Sequence, residues 1–84
     1  AQMGTRDTLP SGAMSDGQIL EILHTANQAE ITAAKLARSK SSDRSVKRFA
    51  EHMIQEHEKN QKEGRVLSES RGIRPQENQV ATSL

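Results

Sequence analysis

Two long stretches carry apolar residues at steps of three and four, and a short polar break, Ser39-Lys40-Ser41-Ser42-Asp43, separates them. Such spacing places side chains on one face of an α-helix, so the period alone predicts helices over residues 15–40 and 43–71. A connection this short favours antiparallel neighbours, which makes the fold class all-α: an antiparallel helical hairpin. Residues 1–14 hold Gly4, Thr5, Asp7, Pro10, Ser11 and Gly12 without a sustained period, and read as a flexible N-terminal arm. Residues 74–84 read as a tail or the start of a third helix, with Val80 and Leu84 as its first apolar pair.

The helix ends carry their own signals. Ser15-Asp16-Gly17-Gln18 has the capping-box form, with the Ser15 hydroxyl accepting from an unpaired amide and Gln18 reaching back. Ser42 or Asp43 can cap the second helix. Arg71-Gly72-Ile73 followed by Pro75 is the pattern of a Schellman stop, with glycine in the left-handed region and an apolar residue after it.

The expected core is thin. Only 32% of the 84 residues are hydrophobic, many of them alanine, and Phe49 is the sole aromatic. A single core in so small a chain rarely supplies more than about 3–5 kcal/mol, so such scaffolds need a staple. The chain has no cysteine, which removes disulfides, thiolate metal sites and cysteine nucleophiles. The remaining staple is association, with a second copy or with another protein. On the first helix the expected core or interface row contains Ile19, Ile22, Leu23, Ala26 and Ala33, with Ala34 and Ala37 continuing it. On the second it contains Val46, Phe49, Met53 and Leu67, together with Ala50, His57 and Gly64. Toward its C-terminal end that face turns polar, through Asn60, Gln61, Gly64 and Ser68. Gly64 costs about 1 kcal/mol in a helix interior, which marks either a close helix approach or a loosely packed end. Leu20, His24 and Ile31 form a thinner second strip on the first helix.

Several function classes are disfavoured. Twelve Lys and Arg stand against eleven Asp and Glu, interspersed along both helices as on a solvated surface. A nucleic-acid partner calls for a basic stripe or aromatic stacking platforms, and neither is present. No run of about eighteen apolar residues is present to span a membrane. No Ser-His-Asp order, Gly-rich phosphate loop or paired-carboxylate motif stands out, so the reading is non-enzymatic, with no catalytic residues. The chain begins Ala1-Gln2, as an exported bacterial protein does after signal cleavage behind a small residue, and the alternative is that Gly12-Ala13-Met14 is part of a cloning remnant. The expectation taken is a processed, exported protein.

Two polar residues fall on the expected core rows, Glu30 on the first helix and His57 on the second. Counted from the loop they lie about one turn apart in depth and lean toward each other. They are expected either to pair and fix helix register or to contribute to a divalent-metal site for Zn, Ni, Mn or Fe. One Glu and one His cannot complete even a four-coordinate shell, so the structural pair is favoured. His52 and Glu56, spaced i, i+4, are the weaker metal candidates. Glu21-Ile22-Leu23-His24 has the Glu-x-x-His spacing of di-iron bundles, but Glu21 faces away from the expected apolar row.

Ala29-Glu30-Ile31 with Lys35-Leu36-Ala37, the Ser-rich loop, Val46-Lys47-Arg48-Phe49-Ala50-Glu51-His52-Met53-Ile54-Gln55-Glu56-His57, then Asn60 and Arg71-Gly72-Ile73 together resemble the DUF4142 family. The resemblance covers residues 16–73. It implies an exported bacterial protein, periplasmic or outer-membrane-associated, with a ferritin-like four-helix-bundle fold and no established activity. It also implies Glu30, Lys35 and His57 as the family's polar core positions. The family domain continues with two further helices and a second His-containing motif. The expected protein is therefore a hairpin forming half of such a bundle, completed by dimerisation or by a larger envelope complex in which it is a structural or accessory subunit. A ferritin-like metal-binding or stress-response protein using Glu30 and His57 is the alternative.

Overall fold

The computed structural model describes residues 14–84, so the expected arm over residues 1–13 lies outside the described residues. Two long helices, α1 (Asp16–Lys40) and α2 (Arg44–Arg71), pack against each other, and a one-turn helix, α3 (Gln79–Thr82), packs on α1. The helix ends form as their residues dictate. The amide of Gln18 donates to Ser15 Oγ at 3.1 Å while the amide of Ser15 donates to Gln18 Oε1 at 2.9 Å, a complete capping box. Asp43 caps α2 by accepting from the Val46 amide at 3.0 Å. Gly72 takes φ 64°, and the Ile73 amide donates back to the Ser68 carbonyl at 2.9 Å, which closes the Schellman turn. No helix among the described residues is long and apolar enough to cross a membrane.

Two side-chain pairs fix the register of the hairpin. Gln61 donates to Gln28 at 3.2 Å, and Arg38 pairs with Glu51 at 3.3 Å. Between them or beside them the buried residues are Ile31 and Ala34 of α1 and Ala50 and Ile54 of α2, with Met53 packed against Ala34, Ala50 and Ile54. The two alanines let the helices approach closely, and the two isoleucines fill the space that remains. With Ala81 of α3 this is the whole buried apolar set among the described residues. The molecule is only 15 Å across in its shortest dimension, one layer of helices where a stable domain ordinarily has two.

The packed rows are not the ones the richer apolar pattern indicates. On α1 the side facing α2 runs through Leu20, Asn27, Ile31, Ala34 and Arg38, close to the thinner strip of the sequence. On α2 it runs through Ala50, Ile54, His57, Gln61, Gly64 and Ser68. Of the expected core positions, Ile19, Leu23, Ala33, Val46, Phe49 and Leu67 are exposed, while Ile22, Ala26 and Met53 are half-buried. The reason is that a bundle helix carries two adjacent apolar rows, one for each neighbour. The hairpin uses one row of each helix for its own contact and leaves the bulkier row open.

The tail does more than begin a helix. Residues 74–78 fold back over the N-terminus of α1, where the Gln76 amide donates to the Gly17 carbonyl at 2.9 Å. Ser15 Oγ lies 3.0 Å from Gln76 Oε1, and Asn78 Nδ2 donates to the Gln18 carbonyl at 3.1 Å. Asn78 also caps α3 by accepting from the Ala81 amide at 3.0 Å. Gly17 permits this clasp, since a Cβ there would collide with the Arg74 carbonyl oxygen. The close approach of backbone in this chain is therefore at Gly17. Gly64 has nothing within 4 Å of its notional Cβ and marks the loosely packed end.

Candidate functional site: an uncovered apolar face and its groove

Five residues place the site. Leu23 and Ala26 of α1 sit about a quarter-turn from the row that faces α2, and Leu67 of α2 sits at the same offset. In an antiparallel pair, equal offsets fall on one side of the hairpin, and all three line a single groove. Phe49 lies eighteen residues before Leu67, which is five whole turns, so it shares that side. Ile19 continues the row at the opposite end of α1. All of the larger members are open to solvent: Phe49 is 65% exposed, Leu23 54% and Leu67 46%.

The groove lies between the N-terminal half of α1 and the C-terminal half of α2 and measures about 640 Å3. It exists because the facing residues there are small or polar, namely Asn27, Gln61, Gly64 and Ser68, which cannot draw the helices together as Ile31 and Ile54 do. Leu20, Leu23 and Leu67 supply its apolar lining, and Pro75 stands at its outer end. Glu21, Glu63 and Glu69 supply carboxylates, against Arg65 as the only Lys or Arg in the lining. The interior is apolar and its charge is acidic.

At the loop end a second cleft is lined by Arg38, Arg44, Lys47, Arg48 and Glu51. Glu51 is engaged by Arg38, the only ion pair among the described residues. Arg44, Lys47 and Arg48 cluster in the first turns of α2, where the helix dipole disfavours cations. Around the helix they sit about 100–160° from Phe49, away from the side that carries it.

The pair expected between Glu30 and His57 does not form. The pairs Gln28–Gln61 and Arg38–Glu51 place Glu30 nearly level with His57, so depth is not the obstacle. Rotation is: Glu30 sits about 100° around the helix from buried Ile31, and its side chain is exposed on the uncovered side. His57 is half-buried in the contact row, and its Nδ1 is enclosed without a hydrogen-bond partner. His52, Glu56 and Lys35 are all exposed. Among the described residues no three His, Asp or Glu side chains converge as a metal shell. Glu21 is engaged locally, accepting from Thr25 Oγ1 at 3.3 Å.

The groove and the Gly17 clasp were beyond the reach of the sequence pattern. The signal for the first was the polar run Asn60, Gln61, Gly64, Ser68 on an expected core face. The signal for the second was a glycine one residue inside a capping box, where a helix former is ordinarily preferred.

Comparison with known proteins adds one finding. No curated protein and no solved structure matches the chain. A family model described as a domain of unknown function, DUF4142, matches residues 2–83, nearly the whole length. The chain therefore belongs to the DUF4142 family.

Proposed function

We propose that this protein acts without chemistry of its own, as a structural or accessory subunit that associates through the uncovered face of its helical hairpin. The observation that carries the reading is the inverted distribution of apolar side chains. The buried set is two isoleucines and three alanines, while Phe49, Leu23, Leu67, Ile19 and Val46 are open to solvent. Contiguous exposed apolar surface of more than a few hundred Å2, rimmed by polar residues, marks an interaction site. The exported, cell-envelope setting is the one the family resemblance implies.

In native extracts of the cells that make it, the wild-type chain is expected to sediment in an assembly larger than its own 9.3 kDa. A chain carrying Leu23→Gln and Leu67→Gln is expected to return to monomer size with its helical content kept, since both residues are exposed. Wild-type sedimentation as a free monomer would remove the reading.

A further inference from the structure

We propose that the loop end of the hairpin is a binding site for a phosphate-bearing anion, held in the cleft between Arg38, Arg44, Lys47 and Arg48. The site lies apart from the groove and does not rest on the association reading. Counted by end, the charges of the hairpin are uneven. Lys35, Arg38, Lys40, Arg44, Lys47 and Arg48 all lie within about 12 Å of the loop along the helix axes, against Asp43 and Glu51 alone. The rest of the described chain carries eight Asp and Glu against five Lys and Arg. One end of a rod 59 Å long is thus basic and the other acidic.

The cations also converge. Arg44, Lys47 and Arg48 stand at i, i+3 and i+4, which places them on one face of α2, and Arg38 reaches the same cleft from α1. The cleft measures about 440 Å3. Both nearby carboxylates are already engaged. Glu51 accepts from Arg38 at 3.3 Å, and Asp43 accepts from the Val46 amide at 3.0 Å as the cap of α2. Arg44, Lys47 and Arg48 form no ion pair among the described residues. Within the chain this arrangement is unfavourable. Like charges at three- and four-residue spacing repel, and α2 carries no acidic residue in its first turn to offset them.

An anion of more than one charge reverses that balance. An arginine fork meets two oxygens of one phosphate in parallel, and a lysine adds a point charge. A single carboxylate would neutralise one of the three cations that lack an ion pair, whereas linked phosphates can match all three. Phe49 stands on another side of α2, so the cleft offers no aromatic platform for a base and reads charge alone.

The test is titration of the purified chain with inorganic triphosphate at constant ionic strength, followed by calorimetry and by thermal unfolding. Saturable binding of one triphosphate per chain is expected, with a rise in the unfolding temperature. Lys47→Glu with Arg48→Glu is expected to weaken binding roughly tenfold or more. Lys59→Glu with Lys62→Glu makes the same charge change farther from the loop and is expected to weaken it less than about threefold. All four side chains are exposed, so both variants are expected to keep the helicity of the wild type. Flotation with phosphatidylglycerol vesicles and not with phosphatidylcholine vesicles, lost in the Lys47→Glu, Arg48→Glu chain, would place the phosphate in a lipid headgroup. Triphosphate binding without flotation would place it on a soluble ligand. Neither saturable triphosphate binding nor flotation, or equal behaviour of the two variants, would overturn the inference.

Discussion

Replacing Gly17 with alanine is expected to destabilise the chain by about 2 kcal/mol, although glycine to alanine inside a helix ordinarily stabilises. The added methyl collides with the Arg74 carbonyl oxygen, and that atom is backbone and cannot swing aside. The segment over residues 74–78 must lift. Its release loses the Gln76 bond to the Gly17 carbonyl and the Asn78 bond to the Gln18 carbonyl, each worth about 1 kcal/mol net. It also exposes Ala81, the most buried apolar residue described. The same exchange at Gly64 is expected to have the opposite sign, a gain of about 1 kcal/mol, because its Cβ enters open space. Urea unfolding of the two variants measures the difference directly. Amide exchange at Gln76 and Ala81 reports whether the clasp has opened. A Gly17→Ala chain as stable as the wild type, with Gln76 still protected, would show that the clasp contributes nothing.

Ile31→Ala is expected to cost about 2–4 kcal/mol, the usual range for a buried isoleucine cut to alanine. A chain of this size holds only about 3–5 kcal/mol from its core, so the variant is expected to be largely unfolded in dilute solution. Leu23→Ala is expected to cost well under 1 kcal/mol there, because Leu23 is 54% exposed in the hairpin. Helical ellipticity against urea, at concentrations where the wild type is monomeric, separates the two. Equal losses would mean that the hairpin packs on the bulkier row after all.

Where the sequence is explicit, the helices follow it almost to the residue. Ser15, Asp43 and Gly72 mark ends that local chemistry alone determines, since each satisfies backbone groups within a few positions of itself. Which row faces which neighbour is a different kind of question. Ile19, Leu23, Ala26 and Ala33 form the heavier row of α1, and a count of apolar residues selects it as core. A hairpin instead joins where small residues such as Ala34 and Ala50 let backbones approach, and leaves the heavier row for the next layer. Glu30 was misplaced by the same step, since a rotation of about 100° separates it from Ile31. His57 is half-buried, and its Nδ1 is enclosed without a hydrogen-bond partner. Gly17 inside a capping box hinted at a close approach, but the clasp's partners lie nearly sixty positions away and meet it through backbone groups, so the sequence did not say what approaches.

The measurement that bears most directly on the uncovered face is site-specific photo-crosslinking in the cells that make the protein. A photoreactive side chain is placed in turn at Leu23, at Phe49 and at Lys62, which lies on the polar flank of α2. Adducts are expected from Leu23 and Phe49 and not from Lys62. Equal labelling at all three positions, or none at Leu23 and Phe49, would contradict the account.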